Sequence, residues 1–371
     1  MRIITEKKVL QSVVKNAIKA KAGRTTIEVL KCLKIEANKE KQEIKITGSN
    51  IELFISERFN ATVYEEGVCL VAATFFAEAI NKCDGEIEIV VESGTMKINS
   101  GSMKLNVVTM NPDDFPKPKK IKDDNIHFVM EKEAFQRLVD KTIFAASSDE
   151  VSGIICGILL DITQNNITAV GLDGFRVSTC STSIEVDGSK KIIIKARLLN
   201  EISKVLAKTD AEEIKIIADD QVVRFDFDKT RIIVSMLSGE YFKYNEVFPT
   251  THYTSVLIDK KELYNAVDRS TILSFSDNAN KHNLVKFQIG KDHVMISSTS
   301  QIGNVSQEVP AKVTGNDLLI GFNARYVLEA LKKIEEDEVK LEFQSGVKPL
   351  IIRIPDNERF KQLILPVRIN N

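Results

Sequence analysis

Apolar and polar positions along this chain follow two rhythms, and both return three times. The segments Glu6-Lys7-Lys8-Val9-Leu10-Gln11-Ser12-Val13-Val14, Glu131-Lys132-Glu133-Ala134-Phe135-Gln136-Arg137-Leu138-Val139 and Asp259-Lys260-Lys261-Glu262-Leu263-Tyr264-Asn265-Ala266-Val267 align without gaps. Each opens on an acidic residue and then sets apolar side chains at i, i+3 and i+4, the spacing of an amphipathic helix. A second helical pattern follows in each copy: Phe75-Phe76-Ala77-Glu78-Ala79-Ile80, Leu198-Leu199-Asn200-Glu201-Ile202 and Tyr326-Val327-Leu328-Glu329-Ala330-Leu331. Strict alternation comes next, in Glu86-Ile87-Glu88-Ile89-Val90, Glu213-Ile214-Lys215-Ile216-Ile217 and Glu338-Val339-Lys340-Leu341-Glu342-Phe343. That is the period of a half-buried strand. The first two copies close on Asp114-Phe115-Pro116 and Val247-Phe248-Pro249, and the third ends near Leu365-Pro366-Val367-Arg368.

Chance would account for one pair of similar helices, but not for two helices and a strand recurring in register three times. The pattern predicts an α+β chain of three repeated domains, 1–120, 121–250 and 251–371, each with two helices among many short strands.

The composition fits that architecture. At 371 residues, 43% hydrophobic and 28% charged, the chain has the make-up of a globular protein with room for two or three domains. No apolar run approaches a membrane span; the best is Gly153 to Leu160, and the opening Met1-Arg2-Ile3-Ile4-Thr5-Glu6 lacks the apolar core of a signal peptide. Cys32, Cys69, Cys83, Cys156 and Cys180 are odd in number and form no C-x-x-C pair, which points to reduced thiols in a cytoplasm and to no metal site. Tryptophan is absent and aromatics make up 6%, against a stacking platform for single-stranded nucleic acid.

Catalysis finds little support. His127, His252, His282 and His293 stand in no recognisable constellation, and no P-loop, G-x-G-x-x-G or H-E-x-x-H motif occurs. The pairs Asp113-Asp114 and Asp219-Asp220 read as turn or strand-end residues rather than metal ligands. No catalytic residue and no cofactor is assigned.

Net charge is −1, which by itself argues against nucleic acid, but the charge is unevenly placed. The predicted helical segments 6–24, 73–82, 131–141, 195–208, 259–269 and 323–333 hold 20 basic and 10 acidic residues, so the rest of the chain is acidic. In the first, Lys8, Lys15 and Lys19 lie opposite Leu10, Val13, Val14, Ala17 and Ile18. Lysines on a solvated face are ordinarily solubilising, yet a field positive on helices and negative on sheets suits helices that face phosphates. Two such chains bring twelve helices; side by side at ~10 Å each they enclose a hole of about 28 Å, enough for a duplex of about 20 Å.

Particular motifs then become informative. The central repeat carries Gly157-Ile158-Leu159-Leu160, Gly171-Leu172-Asp173-Gly174-Phe175-Arg176-Val177 and Ser238-Gly239-Glu240-Tyr241-Phe242-Lys243-Tyr244. The third has Gly321-Phe322-Asn323-Ala324-Arg325 and Leu365-Pro366-Val367-Arg368-Ile369; the first has Ala22-Gly23-Arg24-Thr25-Thr26 and Asn111-Pro112-Asp113-Asp114-Phe115-Pro116. Each is weak alone. Their order and spacing resemble the bacterial sliding-clamp family, the beta subunits of DNA polymerase III, from end to end.

The resemblance implies a DNA-clamp fold with two antiparallel sheets per domain, assembled as a ring-shaped homodimer around double-stranded DNA without sequence preference. It implies a non-catalytic processivity factor in the cytoplasm, with no membrane partner. The implied partners are the DNA polymerase III catalytic subunit, the clamp loader, and other polymerases and repair proteins that carry clamp-binding motifs. Those motifs would dock in an apolar pocket. The matching positions in the central repeat are Ile155, Leu172, Gly174, Phe175, Arg176, Val177, Phe242 and Val247. In the third repeat they are Tyr326, Pro349, Leu363, Leu365, Pro366, Val367 and Arg368. The subunit interface maps to Leu105 and Val107 on one side and Ile272 and Leu273 on the other. For DNA, Arg24 matches a family contact, and helix position adds Lys15, Lys19, Lys141 and Arg197.

The chain departs from the family at several points. Leu172 and Phe175 stand where a Thr and a His are usual, Tyr241-Phe242-Lys243-Tyr244 lacks the usual pocket proline, and Ser147-Ser148-Asp149-Glu150 is acidic where the family commonly meets DNA. A divergent paralogue that binds peptides without encircling DNA is the alternative reading. Retention on nicked circular DNA, lost on linearisation, separates the two.

Overall fold

The computed structural model describes residues 1–122, 125–276 and 283–369, so His282 lies outside the described residues. Among the described residues six α-helices recur in pairs: α1 (Lys7–Ala17) and α2 (Ala73–Lys82), α3 (Lys132–Ile143) and α4 (Ala196–Leu206), α5 (Lys260–Ser270) and α6 (Ala324–Leu331). A strand leads into the first helix of each pair: Arg2–Glu6, Ile126–Glu131 and Thr254–Asp259. The alternating segments that follow the second helices are strands Glu86–Glu92, Glu213–Ala218 and Glu338–Phe343.

The acidic residue opening each first helix has no uniform task. Asp259 caps α5 by accepting the Glu262 N–H at 2.8 Å, whereas Glu6 makes no side-chain cap of α1. A short Asp side chain reaches back to its own helix start more readily than the longer Glu. The first predicted helix also stops early, at Ala17, with one 3-10 turn over Ile18–Ala20. At that point the chain runs against a strand so closely that a Cβ on Gly48 would lie 2.0 Å from the Ala17 carbonyl oxygen. The same device recurs at the end of α3, where a Cβ on Gly171 would lie 2.2 Å from the Thr142 oxygen.

The chain forms two compact units. The first comprises Met1–Phe135, Ile184–Gly188 and Arg197–Leu237. It holds a five-stranded sheet, ordered Thr62–Glu65, Arg2–Glu6, Glu86–Glu92, Thr95–Ser100, Met103–Val108. It also holds an eight-stranded sheet whose two halves come from different repeats and meet where Leu53–Asn60 pairs antiparallel with Thr230–Ser235, with Ile55 opposite Ile232. Its core sets Leu10, Val13 and Val14 of α1 and Phe76 and Ile80 of α2 against Ile35, Ile44 and Ile87 of the sheets.

The second unit comprises Gln136–Ser183, Ser189–Ala196 and Ser238–Asn371. Its twelve-stranded sheet joins the central and third repeats where Arg176–Ser183 pairs with Asn357–Ile364, Val177 opposite Leu363. Adjoining repeats thus share sheets, which covers strand edges that would otherwise present unpaired N–H and C=O groups.

Among the described residues no helix is long and apolar enough to cross a membrane. Asp219 is buried and accepts backbone N–H bonds from Gln221, Val222 and Lys122 at 2.7, 2.8 and 2.9 Å. Burial alone would raise its carboxyl pKa, but those three bonds outweigh it and hold the group below the usual range, as a turn anchor.

Candidate functional site

A cleft of about 810 Å³ in the second unit is built from five stretches of chain, of which Ile155 alone is one. The first is the turn between strands Asn166–Leu172 and Arg176–Ser183. Gly174 takes φ +89 there, a left-handed conformation in which glycine meets no steric penalty. Asp173 closes the turn by accepting the N–H groups of Phe175 (3.0 Å) and Arg176 (3.1 Å). Phe175 is thereby thrown outward, 56% exposed, and its ring stacks on Tyr326 at 6.2 Å between centroids.

Arg176 does the opposite and is buried. Its guanidinium donates to Asp173 Oδ2 at 3.0 Å, to the Phe144 carbonyl at 2.6 Å and to Glu329. It also lies over the rings of Tyr326 (4.5 Å) and Phe144 (5.3 Å). Burial alone would raise the Glu329 pKa; hydrogen bonds from Arg325 and Arg176 outweigh it and hold the carboxyl below the usual range. The cation beneath the turn is therefore fully compensated, and the cleft wall above it is left to apolar side chains.

The second stretch is the segment before the third repeat. The Tyr241 hydroxyl donates to the carbonyls of Gly157 (3.1 Å) and Val170 (3.2 Å), and the Tyr244 hydroxyl donates to Asp161 at 2.9 Å. Burial and the Asp161 charge push the Tyr244 phenol up to about 12. With both tyrosines tied inward, Phe242 between them points out, 54% exposed, and lines the cleft with Val247.

The remaining walls are Pro349 on the approach to strand Leu350–Ile354, and Leu363 and Leu365 at the end of the chain. The Leu365 N–H donates to the Phe175 carbonyl at 2.9 Å, tying that end to the turn. Ile155, Leu172, Gly174, Phe175, Arg176 and Val177 complete the predicted lining.

Four predicted pocket residues do not line the cleft. Tyr326 stands behind Phe175 as its stacking partner. Val367 is taken up by a bond from its N–H to the Gly321 carbonyl at 2.8 Å, and Pro366 and Arg368 run with it, past the cleft. Conversely, Glu246, Phe248, Pro249, Thr250, Gln344 and Lys348 line it without having been predicted. Phe248-Pro249 is visible in the sequence as a repeat terminus, and proximity to the predicted Val247 was the signal for it. Gln344 and Lys348 sit in a turn with no periodicity to mark them.

The predicted DNA-facing cations fare unequally. Lys15 and Arg24 are exposed. Lys19 is corrected: its Nζ is buried, with no hydrogen-bond partner among the described residues, and burial lowers its pKa first, then the neighbouring Lys208 and Lys204 charges, against Glu201. Arg197 is bound to Glu52 at 2.6 Å. Lys141 is corrected: it is 6% exposed, with its Nζ on the Lys333 carbonyl and on Glu335 at 3.0 Å. The end of α3 packs against the chain leaving α6, which helix position alone did not reveal.

Of the predicted interface residues, Leu105 and Val107 lie on the core-facing side of the edge strand Met103–Val108, partly buried against the first unit's core. Val108 on the other side is 80% exposed. In the second unit Ile272 is exposed and Leu273 half-buried.

Comparison with known proteins bears on what these features serve. Family models for the N-terminal, central and C-terminal domains of the DNA polymerase III beta subunit match residues 1–119, 129–243 and 245–368. The chain is 31% identical over 367 residues to the beta sliding clamp of Staphylococcus aureus, with 95% of each covered. It is 30% identical over the same length to that of Staphylococcus epidermidis, again with 95% of each covered. The crystal structure of the DNA polymerase sliding clamp from Bacillus subtilis superposes with a TM-score of 0.93 at 27% identity, covering 100% of both chains. Three domains matched in order, and relatives aligned along nearly the whole length, place the chain in the DNA polymerase III beta subunit family.

Proposed function

We propose that this chain is a replicative sliding clamp: two copies close head to tail around duplex DNA and hold polymerases to it. The observation that carries the reading is the match of all three family domains, in order, to a chain of clamp length. The chain acts without catalysis of its own, in the cytoplasm. Lys15, Arg24 and Arg197 hold the DNA through its phosphates; such contacts position without reading sequence and let a closed ring slide. Domain boundaries at 1–120, 121–250 and 251–371 accompany this reading.

The cleft takes a short peptide from partners: the polymerase III catalytic subunit, the clamp loader, other polymerases and repair proteins. Its apolar walls supply affinity, and Gln344, Glu246 and Lys348 at its polar margin orient the peptide. Primer extension by a polymerase bearing such a motif tests the function. With the clamp loader present, adding this protein lengthens products from tens to thousands of nucleotides; unchanged product lengths contradict the reading.

The ring rests on pairing of unlike ends, Leu105 and Val107 of one copy with Ile272 and Leu273 of the next. Replacing Ile272 and Leu273 by Asp puts two carboxylates into an apolar contact, at a cost of several kcal/mol. Sedimentation of the double variant is expected to give the mass of one chain and the native protein that of two. A dimeric variant overturns this interface.

A further inference from the structure

A second cavity in the same unit, about 300 Å³, shares no lining residue with the peptide cleft. It lies beside the end of α3 and the chain leaving α6, over the strand Asn357–Ile364. Its chemistry is different. The cations Arg137, Lys141 and Arg359 line it with the carboxylates Glu335 and Glu336, and Ser181 and Asn357 add neutral donors. The buried side chains of Phe360 and Ile354 form an apolar wall.

The charges do not cancel. Lys141, its side chain 8% exposed, is engaged by Glu335 at 3.0 Å, which neutralises that pair. Lys141 holds the Glu335 carboxyl below the usual range, so Glu335 is ionised and committed to this partner. Cys180 on the wall adds no negative charge, because burial pushes its thiol up to about 11. That leaves the two arginines against Glu336 alone. Neither guanidinium has a hydrogen bond or ion pair among the described residues, while both belong to exposed residues at the rim of one cavity. Guanidinium groups present planar, paired N–H donors that suit the oxygens of phosphate and carboxylate. A bare oxyanion would leave the apolar wall uncovered, and the volume is at the lower end of the range for organic ligands.

We propose that this cavity is a binding site for a small phosphate monoester, its phosphate held between Arg137 and Arg359 and its organic part against Phe360 and Ile354. The site borders the place where α3 and the α6 exit are cross-linked by the Lys141–Glu335 and Lys333–Asp140 pairs, the latter at 2.5 Å. A ligand there would brace that joint.

Titration calorimetry on the full-length protein tests the site, with adenosine 5′-monophosphate as probe and adenosine and inorganic phosphate as comparisons. Saturable binding of the monophosphate is expected, with competition by inorganic phosphate and none by adenosine. Arg137→Gln and Arg359→Gln each weaken it at least ~10-fold, the effect of losing a charged hydrogen-bond donor, and Arg359→Lys recovers part of the loss. Because both side chains are exposed, the variants keep the native melting temperature, which separates lost binding from lost folding. No saturable binding, or equal affinity in the Gln variants, overturns the proposal. Displacement of the monophosphate by a short DNA duplex as effectively as by inorganic phosphate also overturns it, assigning the site to backbone phosphate instead.

Discussion

Arg176→Ala is expected to lower the stability of the protein by about 3–5 kcal/mol, the range for removing one partner of a buried charge cluster. Arg176 is 7% exposed, and its loss takes one partner at once from the Asp173 and Glu329 carboxylates and from the Phe144 carbonyl. The exposed Lys243–Glu246 pair, by contrast, is worth ~0–1 kcal/mol at most, so its disruption passes unnoticed. In a chain of 371 residues the Arg176 change corresponds to a fall in melting temperature of about 4–6 °C.

The pH dependence carries its own sign. Glu329 has a folded pKa below its unfolded value, so its contribution is full above the ordinary Glu pKa of about 4.3 and is lost as pH falls through the folded value. The gap between native and Arg176→Ala protein is therefore largest at neutral pH and narrows below about pH 4. Thermal melts at both pH values check this; a gap that is constant or widens in acid contradicts the role given to the Arg176–Glu329 pair.

The second large effect concerns the cleft itself. Phe175→Ala with Phe242→Ala is expected to weaken a clamp-motif peptide by about 100-fold or more, since each ring buries roughly 1.5–3 kcal/mol of apolar surface on binding. Both rings are more than half exposed in the free protein, so folding is spared and the melting temperature stays near native. Fluorescence anisotropy with a labelled peptide measures the change. Less than a fivefold loss would mean the peptide is held elsewhere.

Much of the fold was legible because its helices are amphipathic and its strands alternate. The pattern over 73–82 gives α2 in full, and that over 259–269 gives α5 shifted by one residue. The first segment was overread to Arg24, since nothing local in Lys15 to Lys21 says that Gly48 of a distant strand will press on the Ala17 carbonyl. The sharing of sheets between repeats was equally hidden. Strand Leu53–Asn60 alternates in the same way whether its neighbour is Thr230–Ser235 or solvent. At the cleft, residues in the Leu172–Val177 turn could be placed because the motif includes the glycine and aspartate that shape it. Gln344 and Lys348 arrive only through tertiary folding. Lys141 was misplaced for a related reason: a cation on a helix is equally plausible facing solvent or capping a neighbour, and only the packing decides.

The central claim is topological, and one measurement reaches it directly. The protein is loaded by its clamp loader on a nicked circular plasmid and passed through gel filtration in salt strong enough to suppress open phosphate contacts. The account predicts co-elution with the circle and release when a restriction enzyme linearises it. Failure to remain on the circle, or retention that linearisation does not alter, contradicts it.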